Sequence, residues 1–243
     1  MDLFQELVED IKDEYCQTTN RLGWRFLSTS KTTLEKNNAI LLITLNPGGY
    51  ENREDHPSES CENGCAYLVE SWHKNEPGMS ILQKQIQHLF KGIAKNLKVE
   101  NYEVILNSSL CAHFIPFRSP NIKALNEKNK CIDFSIKLWR KILLRIQFKV
   151  IICIDKETYK NMKKILIELL FYKSSESEFE TGWGKINASI LKFQKNNVII
   201  TLVRLPHLSR FSIFNRDNVE EKINKIITEA FKDYSGSSIL ARE

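Results

Sequence analysis

The 243-residue chain lacks most of the features that assign a protein quickly. It has only six Cys, at 16, 61, 65, 111, 131 and 153, with no Cys-x-x-Cys pair among them. That spacing argues against a disulfide framework and against a paired-thiolate metal centre, and free thiols are the expectation. Cys61 and Cys65 with His56 or His73 have no ordered ligand pattern, so neither a metal nor another cofactor is expected. No apolar run is long enough to span a bilayer. The start, Met1-Asp2-Leu3-Phe4-Gln5-Glu6, is acidic where a secretory signal would be basic and then apolar. A cytoplasmic protein without membrane association is the reading. Linkers, repeats and low-complexity stretches are missing too, so one domain over residues 1–234 is expected, followed by a frayed tail over 235–243.

What is present is ordinary for a globular chain: 42% hydrophobic and 27% charged residues, with a formal net charge of +5. The charge is unevenly spread. Residues 121–173 hold 13 Lys/Arg against 5 Asp/Glu, whereas residues 51–62 hold 5 acids and one Arg. The basic stretch suits either nucleic acid or the solvated face of two helices.

Four short, continuous apolar runs predict parallel strands covered on both faces: Ala39–Leu45, Glu103–Asn107, Lys149–Ile154 and Val198–Arg204. Helical spacing links Leu3, Leu7, Ile11 and Tyr15. Ser80 and Gln83 form a capping box ahead of the stripe Leu82, Ile86, Leu89, Phe90, Ile93 and Leu97. Further helices fit Ile132–Ile146, Glu157–Phe171 and Val219–Phe231, the last capped by Asp217 with Glu220 following. The polar segment Lys173–Lys185, with Trp183 in it, reads as a surface loop. Strands alternating with helices predict an α/β fold, a three-layer α/β/α sandwich around a mainly parallel four-stranded sheet.

Open parallel sheets bind ligands at the carboxyl ends of their strands. Asn46-Pro47-Gly48-Gly49-Tyr50 follows the first run. Asn107 ends the second, and Cys111-Ala112-His113-Phe114-Ile115-Pro116-Phe117-Arg118 lies just beyond. Asp155 follows the third, and Leu205-Pro206-His207-Leu208-Ser209-Arg210-Phe211 the fourth. Each has a plain alternative: Asn-Pro-Gly-Gly as a turn, His207 as a loop residue, Asn107 as a cap. Taken in order on successive strand ends, they converge on one rim.

At these residues the chain resembles the uracil-DNA glycosylase superfamily, over about residues 39–215. Thr44-Leu45-Asn46-Pro47-Gly48 is similar to a first motif that several branches write Gly-x-Asn-Pro-Gly. His207-Leu208-Ser209-Arg210-Phe211 is similar to the last motif, His-Pro-Ser-Pro-Leu, without its prolines. Val104-Ile105-Leu106-Asn107 fits the strand that ends in a base-reading Asn, and Gly64-Cys65-Ala66-Tyr67 fits the segment that carries a stacking ring. His56-Pro57-Ser58 matches the last motif by letter but sits in the wrong loop. The nearest branches are the mismatch-specific and single-strand-selective ones with Asn-Pro-Gly.

The resemblance implies a monofunctional DNA glycosylase that flips a base from single- or double-stranded DNA and hydrolyses its N-glycosidic bond, leaving an abasic site. It is expected to act as a monomer, in base excision. Cleavage passes through an oxocarbenium-like sugar and an anionic leaving base. His207 would donate to that base, and Asn46 would orient the attacking water. Tyr67 would stack on the base, and Asn107 would read its edge. Ser209, Arg210 and Arg118 would hold phosphate, and Phe211 either fills the gap in the duplex or packs in the core. The strictest uracil enzymes carry Tyr after the Pro. Gly48 and Gly49 there leave room for a larger base, a damaged or modified pyrimidine, extending to the modified bases of phage DNA in host defence. Two alternatives stand beside this: a non-catalytic DNA- or nucleotide-binding module of the same fold, and an α/β enzyme acting on a free nucleoside.

Overall fold

The computed structural model describes residues 2–35, 39–49, 56–216 and 219–234. Asp217, the tail 235–243 and the acidic residues at 51, 54 and 55 lie outside them. In chain order the elements are α1 (Leu3–Gln17), α2 (Thr32–Glu35), β1 (Ile40–Thr44), α3 (Ala66–Val69), α4 (Ile81–Leu97), α5 (Tyr102–Ser108), β2 (Leu110–His113), α6 (Lys128–Arg145), β3 (Val150–Ile154), α7 (Lys156–Glu168), β4 (Tyr172–Trp183), β5 (Ile186–Lys195), β6 (Val198–Leu205) and α8 (Glu220–Ala230).

The strands form one sheet in the order β2-β1-β3-β6-β5-β4. β2, β1, β3 and β6 run parallel. β5 and β4 extend the sheet as an antiparallel hairpin. The mainly parallel α/β sandwich is therefore observed, with six strands rather than four. Because successive side chains of a strand point to opposite faces, these largely apolar strands feed two cores. Leu41, Ile43, Ile151 and Leu202 meet α1, α6 and α7 through Leu7, Trp139 and Met162. Leu42, Ile152, Val203 and Leu205 meet α4, α5 and α8 through Ile86, Leu106 and Ile226.

Two expectations are corrected. The run Glu103–Asn107 is helical, part of α5. Asn101 caps it by accepting from the Glu103 amide at 2.9 Å, and the turn buries Ile105 and Leu106 while leaving Val104 and Asn107 exposed. A five-residue apolar run fits either a strand or a buried helical turn, and here the cap decides it. The strand is the next run, Leu110–His113, all buried. Its outer edge is covered by the N-terminal segment, where Ser28 N donates to Cys111 O at 2.7 Å. Lys173–Lys185 is the second correction: it is mostly β4, an edge strand whose acidic side chains Glu176, Glu178 and Glu180 face solvent at alternate positions. Charges on an edge strand disfavour pairing with another chain, and they also disguise the strand as a loop.

α4 opens with the expected capping box: Ser80 Oγ accepts from Gln83 N, and Gln83 Oε1 accepts from Ser80 N. The same Gln83 amide donates to Ala66 O at 3.0 Å and Glu70 O at 2.7 Å, which ties α3 to α4. Ser80→Ala should therefore cost about 1 kcal/mol. Gln83→Ala, which orphans buried carbonyls as well, should cost more, about 2–3 kcal/mol. Urea unfolding midpoints check both, and equal losses from the two variants would contradict the tie between the helices.

Candidate functional site

Parallel pairing sets the geometry of the rim. Thr44 pairs with His113 on one side and Ile154 on the other, and Ile154 pairs with Leu205. Four strands thus end on one level. Asn46 and His207 each lie two residues past it, on strands separated only by β3. At about 4.8 Å per strand, their backbones leave the sheet roughly 10 Å apart. β1 leads toward α4 on one face, whereas β3 leads into α7 on the other. Where loops diverge from neighbouring parallel strands, open sheets commonly bind ligands in a crevice; here the end of β3 lies between the two loops and would form its floor.

The wall from β1 is stapled to the loop after β2. Phe114 N and Ile115 N donate to Thr44 O and Leu45 O, and Ser119 N donates to Pro47 O. The Asn46 Nδ2 donates to Ser119 Oγ at 2.9 Å and to Ser119 O at 3.2 Å. With the nitrogen so held, Oδ1 accepts from no described residue. A Cβ built on Gly48 would meet nothing within 4 Å, so this wall is open in front of the glycine. Gly49 has φ +114, a conformation L side chains rarely adopt.

The wall from β6 carries His207, half-buried, with its Nδ1 2.9 Å from Ser209 Oγ. Arg210 N and Phe211 N both donate to His207 O, closing a tight turn. Burial, followed by the nearby Arg210 charge, lowers the His207 pKa, so the ring is neutral near pH 7. Ser209 and Arg210 are exposed. Phe211 is half-buried and meets Trp183 edge-on, with centroids 6.1 Å apart.

On the floor stands Asp155, at the rim position its place after the third run implied, and a lone Asp ahead of a helix suits a cap. It is one: its carboxylate accepts from Thr158 N and Thr158 Oγ1, both at 2.8 Å. It also has φ +140 and ψ 170, a conformation nearly confined to glycine. Burial raises its carboxyl pKa against those hydrogen bonds.

Three sequence candidates sit elsewhere. Asn107 belongs to α5, not to a strand end, and its Oδ1 accepts from Cys65 N at 2.7 Å. The polar side chain that does end β2 is His113, whose Nδ1 is 2.7 Å from Thr44 Oγ1. Tyr67, on α3, is 1% exposed and packs edge-on against Trp72, so its ring faces protein rather than the crevice mouth. Arg118 is buried, and its Nη1 donates to Gly48 O at 2.6 Å, which makes it a strut of the loop rather than a surface arm.

Behind Tyr67 lies a buried polar frame. Arg25 and Glu70 form a bidentate pair at 2.8 and 2.6 Å, and Trp72 Nε1 donates to the same carboxylate. Burial alone would raise the Glu70 pKa, but the Arg25 guanidinium overrides it and holds the group charged. Burial, then the Glu70 charge, pushes the Cys61 thiol up to about 11, which leaves it inert. Among the described residues no group of three or more His, Cys, Asp or Glu converges as a metal would need, and no helix is long and apolar enough to cross a membrane. No family model matches the chain, and no curated protein matches it.

His113 yields a pH prediction. Burial, then the Arg25 and Arg118 charges, pushes its pKa well below the usual histidine value, and His88 and His207 shift in the same direction. The unfolded chain binds protons below about pH 6.5 that the folded chain refuses, so stability falls as pH drops from about 7 to about 5. Melting temperatures across that window should show the fall. His113→Asn should flatten it, and a wild-type profile without slope would contradict a neutral His113.

Proposed function

We propose that this chain is a DNA glycosylase of the uracil-DNA glycosylase kind, which extrudes a damaged or modified pyrimidine and hydrolyses its N-glycosidic bond. The observation that supports the reading best is the common level of Asn46 and His207 on either side of the crevice above β3. A flipped base enters between them. The reading takes Ser209 Oγ, 2.9 Å from His207 Nδ1, as the donor of that contact, which puts the ring proton on Nε2. That N–H faces the oxygen of the base as negative charge develops there, and neutrality at pH 7 suits an imidazole acting as donor rather than acid. Asn46 Oδ1 accepts from a water and aims it at the sugar, while its nitrogen stays fixed by Ser119. The Asp155 carboxylate supplies the negative field that a cationic sugar needs, a role the amide of Asn46 cannot fill.

The open space before Gly48 favours a base bulkier than uracil, and modified phage DNA is one source of such bases. In this reading His113, rather than Asn107, faces the base from the end of β2. Tyr67 reaches a base only if Trp72 and the loop around it move. The protein works as a cytoplasmic monomer on DNA, without metal or cofactor. A second reading, a non-catalytic DNA- or nucleotide-binding module, is favoured by one observation: the residue aimed at the water is an amide, which cannot take its proton.

Incubation of the purified protein with oligonucleotides carrying normal, damaged and 5-modified bases, followed by alkali, tests the proposal. Alkali-labile abasic sites should appear at one class of modified pyrimidine. His207→Ala should lose about 10²–10³-fold in rate, the effect of removing one donor to a developing anion, while DNA binding survives. Equal yields from wild type and His207→Ala would overturn the assignment. Binding without base release on any substrate would establish the second reading.

A further inference from the structure

The β4–β5 hairpin lies outside the strand ends that carry Asn46 and His207, yet its tip stands beside them. Ser189 pairs with Arg204, and Trp183 pairs with Ile186 across the turn. Continued along β6, that register brings Ile186 level with His207. Trp183 is one strand further out, roughly 10 Å from the end of β6. The tip therefore prolongs the same rim.

Its chemistry differs from that of the rest of the hairpin. Lower down, the cations are neutralised: Lys222 by Glu180 at 2.7 Å, Arg204 by Glu178 at 3.5 Å, Lys192 by Asp233 at 2.7 Å. At the tip, Lys185, Arg210 and Arg216 are exposed and form no ion pair among the described residues. Lys185 follows the half-buried Trp183 by two residues, and Arg210 directly precedes the half-buried Phe211. Phe211 meets Trp183 edge-on, and the Arg216 guanidinium lies over the Trp183 ring, 4.1 Å from its centroid.

The backbone is shaped to present this group. A register shift between Glu180 and Trp183 interrupts the β4–β5 pairing, and such bulges re-aim side chains next to binding sites. Gly182, at φ +77, packs so closely that an added Cβ would lie 2.5 Å from Val219 Cγ1, which anchors the base of the turn. Gly184, at φ +52, has nothing within 4 Å of an added Cβ, so the turn beyond the anchor is open.

We infer that the hairpin tip and the loop after β6 form a second grip on DNA, in which Trp183 stacks on an unpaired base beside the extruded one. Lys185, Arg210 and Arg216 hold the adjoining phosphates. Aromatic rings beside cations with no ion pair among the described residues suit a strand with exposed base faces, since every base offers a face for stacking and every nucleotide a charge. The guanidinium of Arg216 already occupies a stacking place on the indole, and it swings to a phosphate when a base takes that place. Phe211 buttresses the indole from its edge. This grip rests on the proposal that the neighbouring crevice acts on DNA, but its test reads binding and not excision.

The full-length protein is titrated with a fluorescein-labelled single-stranded oligonucleotide and with the matched duplex, by fluorescence anisotropy at several salt concentrations. Wild type should bind the single strand more tightly. Trp183→Ala should weaken that binding about tenfold or more, the loss of one base stack, and Trp183→Phe should restore part of it. Lys185→Glu, on the exposed turn, leaves the fold intact and should lower the salt slope by at least about one. Wild-type binding that neither Trp183→Ala nor Lys185→Glu alters would overturn the second grip while leaving the crevice proposal standing. A wild type that binds no DNA would overturn both.

Discussion

Strict parallel register across β2, β1, β3 and β6 is the constraint from which the rest follows. The row His113, Thr44, Ile154 and Leu205 crosses four strands without a step. Everything that leaves the sheet at its carboxyl end starts from this one level. Since β1 and β3 feed helices on opposite faces, their loops part at the middle of the sheet, the point at which open sheets commonly bind ligands. The side chains around this point are fixed by hydrogen bonds that serve the loops first: Asn46 to Ser119, Asp155 to Thr158, His207 to Ser209. Each of the three is thereby pre-oriented, and that costs nothing extra when a ligand arrives.

The sequence carried the parallel part of this arrangement plainly, because β1, β3 and β6 are runs dominated by Ile, Leu, Val and Cys, with only Thr44, Thr201 and Arg204 polar among them, and strands buried on both faces read that way. Asn46 and His207 were legible for the same reason, as the first polar residues beyond two such runs. The second strand was not. Val104-Ile105-Leu106 and Leu110-Cys111-Ala112 are equally apolar, and the choice between them rested on a cap at Asn101 that a short window does not weigh. With the strand moved by several residues, Asn107 left the rim and His113 entered it. The hairpin was hidden by its own defence, since the acidic residues that keep an edge strand single also look like a loop. Arg118 and Tyr67 follow in the right places along the chain but turn inward, which no spacing reveals.

The inward residues have a job of their own. Arg25 and Glu70 are buried together, and breaking such a pair by removing one partner leaves an uncompensated charge, at a cost of about 3–5 kcal/mol. That pair, with Trp72 and Cys61, clamps the segment over residues 56–72 against the N-terminal strap that also seals β2. Glu59 and Glu62, part of the acidic stretch, are held in the same region by Lys12 and by the Lys31 amide. Those two acids are thus tied down on the strap side rather than left to confront a phosphate backbone. The neutral His113 sits between this frame and the rim, and Thr44 couples it to the strand that carries Asn46.

The central claim is that Asn46 and His207 face one extruded base from two sides of the same crevice. It is tested most directly by nuclear magnetic resonance of the protein with labelled Asn side-chain amides and imidazoles, titrated with an oligonucleotide holding a stable abasic-site analogue and then with the free base. The account predicts that the Asn46 amide and the His207 ring shift together, at the same ligand concentration, and that the ring stays neutral. Shifts at one of the two without the other would contradict it.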